Sequence, residues 1–417
     1  MKVYFMFLCL FTFQLTFASG TIISLADVSK KVQESNFAVL ENAERVYQAK
    51  ETINFSKRNL LPRLNFWNIL KAPFDWSSSV EIVQDIAPFL VPNNWFRITQ
   101  NNLFYLAQKE QYRALWANEV MTAKLLYINT LRDIDFLRLL KEQNTQLEEL
   151  VNIVVTRSVF GEVPPQVLKF LKIRSLELKE DIRSLEGLVY EETKALSYLM
   201  GLSQEDEILL EMIDLPIVED LESISFDTFI FRAIENAPEL NQYQYIHEAL
   251  KSTRKEIYFT FLGSSTTSRS SSGGVFNNIP IQDGLGFGLS SSLRISRSEK
   301  HILEINEKAT KEVIKKNLYI LVNNFNSYVE NIENQKKRFN LAQDNYEIIK
   351  TQLVLGMNLE PLEMLEGIQN LFDASVSLTN YKYEVVNTIE KIKRSIFNGD
   401  YSKNEGKLEV ILKGASK

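Results

Sequence analysis

Residues 302–355 read ILEINEKATKEVIKKNLYILVNNFNSYVENIENQKKRFNLAQDNYEIIKTQLVL, and this stretch decides the fold. It holds neither glycine nor proline, and the gap extends back to residue 289. Apolar or small residues fall at Ile302, Ile305 and Ala309, then at Leu318, Leu321, Phe325, Tyr328 and Ile332. They resume at Phe339, Ala342, Tyr346, Ile349 and Leu353. The steps alternate three and four, which is the seam of a coiled coil. At 1.5 Å per residue, a helix through the whole gap is roughly 100 Å long. Ordinary globular helices run about 11–12 residues. Heptads sustained this far predict long helices packed side by side in an extended bundle.

A second gap of the same kind covers residues 93–160. Each long stretch ends at a glycine and restarts at once. Gly161 leads through Pro164 and Pro165 into 166–200, closed by Gly201. Gly356 leads through Pro361 into 362–398, closed by Gly399. Both predict two long antiparallel helices joined at a tip turn, with Gly161 and Gly356 in the turns. The shorter helical stretches repeat too. Residues 34–61 lie over 235–261, so that Asn36 meets Asn236, Leu40 meets Leu240 and Ala49 meets Ala249. The chain therefore reads as two copies of one unit, a first repeat at 21–201 and a second at 226–399. Residues 202–225, with Pro216, link them, and 400–417 reads as a flexible tail.

Between short and long helix each repeat has an irregular segment, 62–91 and 258–296, where strands are expected. The second contains Gly284-Leu-Gly-Phe-Gly-Leu289, small and apolar residues alternating as in a barrel strand with two unlike faces. Its glycine spacing does not match a dinucleotide-binding loop. Two strands per repeat gives about four per chain, and the smallest membrane barrels have about 8. A barrel therefore requires several chains. The first segment carries Pro73, Pro88 and Pro92 with Trp76 and Trp95, which suits either an interfacial aromatic girdle or a poor barrel former.

Residues 1–20 read as a signal peptide: Lys2, an apolar run over 3–17, then Ala18, Ser19 and Gly20. The apolar run is shorter than the roughly 20 residues of a spanning helix. Cys9, the only cysteine, lies in this leader, so disulfides, thiolate nucleophiles and cysteine metal sites are excluded from the mature chain. His247 and His301 have no His or Cys partner at helical spacing, which argues against a histidine metal site. The formal net charge of −6 argues against nucleic acid as a partner. There is no Gly-x-Ser-x-Gly elbow and no phosphate loop. The residues thus predict a non-enzymatic envelope protein without a cofactor.

The arrangement resembles the outer membrane efflux protein family, the TolC-like channels, over about residues 21–399. The carriers are Asn42-Ala43 and Ala49 leading to Leu60-Leu61-Pro62, and Ile86, Pro88 and Phe89 before the first long helix. To these add the tip glycines Gly161 and Gly356, and the paired closing motifs Leu199-Met-Gly201 and Ile396-Phe-Asn-Gly399. The resemblance implies a mainly α homotrimer. Duplicated helical hairpins would form a periplasmic coiled-coil barrel, and about four strands per chain would contribute to one transmembrane β-barrel. It implies location in the outer membrane, extending into the periplasm. It further implies a periplasmic adaptor, an inner-membrane transporter and outer-membrane lipid as partners. The alternative is a periplasmic coiled-coil scaffold with a degenerate barrel and no transport role.

The resemblance also implies acidic rings at the periplasmic entrance. Leu365-Glu366-Gly367 matches the family's leucine–acid–small motif, and Glu363 stands one turn earlier on the same helix face. Glu363 and Glu366 are the candidate pore constriction, favouring cations. One extra residue between Gly356 and the motif departs from the family pattern. Gln166 stands where relatives often carry an acid.

Overall fold

A computed structural model describes residues 21–62, 87–215, 221–259, 279–280, 287–354 and 361–402. The first repeat begins with strand β1 (Thr21–Ile23), then helices α1 (Leu25–Ser35) and α2 (Phe37–Arg58). A 3-10 turn at Pro88–Leu90 leads into α3 (Pro92–Val159) and α4 (Pro165–Leu199). Strand β2 (Ile208–Leu210) lies in the linker. The second repeat has α5 (Phe226–Glu235), α6 (Pro238–Phe259), α7 (Leu289–Val354) and α8 (Pro361–Ser395). The duplication extends to helix lengths: 22 residues in α2 and α6, 68 and 66 in α3 and α7, and 35 in α4 and α8.

The single expected short helix at 34–61 is two helices, because Asn36 breaks it. Its Oδ1 accepts from the Val39 N–H at 3.1 Å, which caps α2. Its Nδ2 donates to the Leu199 carbonyl at 2.8 Å, at the end of the return helix of the same repeat. Asn236 makes the matching contact, to the Ile396 carbonyl at 3.5 Å. The pair that aligned in sequence thus joins the start of each repeat to its close.

Helix α3 is the central element, packed on α2, α4, α6 and α8, while α7 packs on α8 and α6. The hairpins α3–α4 and α7–α8 therefore meet along one seam, α3 against α8. Heptad residues Leu318, Phe325, Ile332 and Tyr346 are buried as the periodicity predicts. Ile302 and Ile305 are exposed, and Leu303 takes the buried position, because α7 turns there from α8 onto α6.

The main core gathers at the base of the hairpins from α1, α2, α3 and the end of α4, with Tyr383, Phe397 and Tyr401 from the second repeat. Strands β1 and β2 form a two-stranded parallel sheet, Ile22 opposite Leu209, which the sequence reading did not foresee. The buried Tyr127 of α3 anchors it. Its hydroxyl lies 2.9 Å from the Ile23 carbonyl and 2.6 Å from the Glu211 carbonyl.

Most of both segments expected to hold barrel strands lies outside the described residues, as do residues 1–20 and 403–417. In the described parts, 88–90 is a 3-10 turn, 287–288 a turn and 289–296 the start of α7. There the strand expectation fails, since the glycine-free run continues the helix. Asp400 and Tyr401, placed by the sequence reading in a flexible tail, sit in a 3-10 turn with Tyr401 buried in the core. Among the described residues no helix is long and apolar enough to cross a membrane.

Candidate functional site

The ends of the four long helices that flank the two turns share one core. Leu147, Leu150 and Val154 of α3, Leu171 and Leu178 of α4, Tyr346 of α7, and Met364 and Ile368 of α8 form one buried cluster. Burying these side chains at about 25 cal/mol per Å² fixes the four helix ends to one another. At the first tip, α3 closes in a Schellman motif. Gly161 stands at φ +77, its N–H donating to the Ser158 carbonyl, and Glu162 N–H donates to the Arg157 carbonyl, both at 3.1 Å. Pro165 opens α4, where its missing N–H leaves no bond unmade. Gly356, the expected second turn, lies outside the described residues.

Glu363 and Glu366 stand three residues apart near the start of α8, and both are exposed. Met364 and Ile368 bury the opposite face. Gly367 allows close packing of α8 on α7, because a Cβ there would lie 3.1 Å from the Ile349 Cδ1. Gln166 is exposed at the start of α4.

Above the tip, three helices converge on Gln369, a residue the sequence reading passed over. Its carbonyl oxygen accepts from Gln143 Nε2 of α3 at 3.0 Å and from Arg174 Nη2 of α4 at 3.4 Å. Its amide donates to Asp373 Oδ1 at 2.9 Å. The α3–α8 seam continues upward through polar pairs. Tyr383 donates to Asp135 Oδ2 at 2.7 Å, and Asn387 Nδ2 donates to Asn129 Oδ1 at 3.0 Å. At its base Lys124, buried, lies 2.7 Å from Asp400 and 3.4 Å from Glu390. Tyr401 donates to the same Glu390 carboxylate at 3.2 Å. Burial and the facing carboxylates push the Tyr383 and Tyr401 hydroxyls far up from their ordinary range. No signal in a single sequence pairs residues of α3 with partners more than two hundred positions away, so the Gln143, Asp135, Asn129 and Lys124 contacts were not legible there.

One further carboxyl is perturbed. Glu192 of α4 is pushed up to about 7, first by desolvation and then by the Asp133 charge beside it on α3. Among the described residues no group of three or more His, Cys, Asp or Glu could hold a metal ion. His247 pairs with Glu307 and His301 with Glu304, at 3.4 and 3.2 Å.

No family model and no curated protein sequence matches the chain. Solved structures do match its fold. The Campylobacter jejuni CmeC outer membrane channel superposes with TM-score 0.70 at 16% identity, covering 94% of this chain and 90% of that one. The outer membrane protein VceC of Vibrio cholerae gives 0.70 at 10% identity, covering 90% and 96%. The open state of the Neisseria gonorrhoeae MtrE outer membrane channel gives 0.65 at 11%, covering 90% and 89%. These superpositions run over nine-tenths of this chain or more, and the chain therefore has the fold of the TolC-like outer membrane channels.

Proposed function

We propose that the protein is a trimeric outer-membrane channel that exports small molecules or proteins through a helical tunnel in the periplasm. The observation that carries this reading is the unequal use of the two hairpins. Inside one chain the outgoing helix of the first repeat, α3, packs on the return helix of the second, α8. Among the described residues the corresponding pair, α7 and α4, does not pack on each other to a comparable extent, and each keeps large apolar side chains exposed. A neighbouring copy set against α7 with its own α4 repeats the α3–α8 packing, and repetition closes a ring. Such a ring of long helices encloses a lumen, and Glu363 and Glu366 line its narrow end as stacked acidic rings that favour cations.

Structures of this fold named as outer membrane channels support the membrane assignment. Three chains of about four strands each exceed the about 8 that a closed barrel needs. The apolar and acidic hairpin tips suit docking of a periplasmic adaptor, which would couple the channel to an inner-membrane transporter. The test is fractionation of cells followed by planar-bilayer recording. An outer-membrane trimer with cation-selective conductance is the expected result. A soluble periplasmic monomer overturns the reading in favour of a coiled-coil scaffold.

A further inference from the structure

We propose that Leu341, on the outer face of α7 near the tip, packs between Phe170 and Leu176 on α4 of a neighbouring copy. This rests on the ring reading above and assigns the residues that join one copy to the next. The assignment comes from the chain's own duplication, which contains one finished example of the interface. In the α3–α8 seam, Gln143 bonds Gln369 and Asp135 bonds Tyr383. Aligned on the glycines that close the two long stretches, Gly161 and Gly356, Gln143 corresponds to Arg338 and Asp135 to Glu330. Counted back from the ends of α8 and α4, at Ser395 and Leu199, Gln369 corresponds to Ile173 and Tyr383 to Gly187.

Carrying the observed pairs over therefore sets Arg338 opposite Ile173, and Glu330 opposite Gly187, of the next copy. The helices run antiparallel, so the first register sets Leu341 opposite Phe170 and the second opposite Leu176. The chemistry at both places agrees. Leu341 is 70% exposed within one chain, and Phe170, Ile173 and Leu176 are 49%, 56% and 67% exposed. A leucine and three large apolar residues left in water on two helices is costly, and meeting one another removes that cost. The same registers bring Lys337 against residues 174–180, where Glu177 and Glu180 are exposed. Arg174, in the same window, is turned toward Gln369 of its own chain.

The full-length protein with Leu341→Cys and Ile173→Cys, in a Cys9→Ala background that leaves no native cysteine, tests this with a short bis-maleimide cross-linker. We expect most of the chain to move to dimer and trimer bands in denaturing gels, and neither single variant to do so. A control pair, Leu341→Cys with Leu188→Cys, lies beyond either register and should stay monomeric. Mass measurement by light scattering on the untreated variants separates the outcomes. A closed oligomer in which only the control pair cross-links, or neither pair does, overturns the register and leaves the ring. A monomer overturns the ring and the register together.

Discussion

Phe397 stands at the end of α8 where Gly201 stands at the end of α4, each two residues past the last helical one and each in left-handed backbone, at φ 51 and φ 64. Both helices close in the same motif. Gly201 N–H donates to the Tyr198 carbonyl at 3.0 Å and Leu202 N–H to Ser197 at 2.9 Å. In the second repeat Phe397 donates to Arg394 at 3.1 Å and Asn398 to Lys393 at 3.0 Å. In the first repeat a side chain has no room, because a Cβ on Gly201 would lie 2.1 Å from the Ser35 carbonyl oxygen. In the second the ring is buried, with the Arg394 and Arg113 guanidiniums 4.9 and 5.2 Å from its centre. One motif is thus filled by opposite residues, and the neighbours decide which.

Gly201→Ala should be far more damaging than Gly399→Ala. Both glycines have positive φ, which costs an alanine about 1–2 kcal/mol. Only at Gly201 does the new methyl strike backbone, while nothing lies within 4 Å of the corresponding point at Gly399. Urea denaturation followed by circular dichroism should show a loss above about 2 kcal/mol for the first and about 1 kcal/mol for the second. Equal losses would refute the assignment.

Phe397→Gly should destabilise although it relieves backbone strain. The relief is about 1–2 kcal/mol. Loss of a buried phenyl ring costs about 3–5 kcal/mol. Packing wins, and a net loss near 2 kcal/mol is expected in the same assay. A stabilised variant would mean that the ring contributes little.

Lys124 joins α3 to the end of α8 and the turn that follows it. Lys124→Met leaves Glu390 buried with Lys393 as its remaining cation, at 2.7 Å, while the partly exposed Asp400 regains water. The expected cost is about 3 kcal/mol, the low end for breaking a buried pair. Adding Glu390→Gln should recover part of it. A double-mutant cycle with no coupling between the two positions would count against the clasp.

Glu192 predicts a pH dependence of fixed sign. Its folded-state value of about 7 stands above the ordinary 4.5, so the folded protein favours the protonated form. Its stabilising contribution is full below pH 4.5 and is lost as pH rises to about 7, with no further change above. The groups facing it are Asp133, whose charge raises it, and Arg132 and Thr130, which oppose the shift. Arg132 in turn lies 3.9 Å from Glu384 of α8. Melting temperature against pH should fall less steeply between 4.5 and 7 in Glu192→Gln than in the parent. Parallel curves would show that the carboxyl is not perturbed.

The sequence by itself determined the long helices and the turn that joins the first pair, because glycine, proline and heptad spacing act locally and need no knowledge of the rest of the chain. Gly161 at the first turn, the paired Asn36 and Asn236, and Glu363 and Glu366 three residues apart near the start of α8 were all legible this way. Tertiary structure alone decided which hairpin faces meet. The Asp135–Tyr383, Gln143–Gln369 and Lys124–Glu390 pairs join helices distant in the chain, and either polar partner alone looks like an ordinary surface residue. It also decided the left-handed Phe397, where burial between two arginines outweighs a backbone preference that local reading assigns to glycine. The β1–β2 sheet belongs to the same class: three residues of strand carry no periodic signal, and they pair only because Tyr127 and the core hold them side by side.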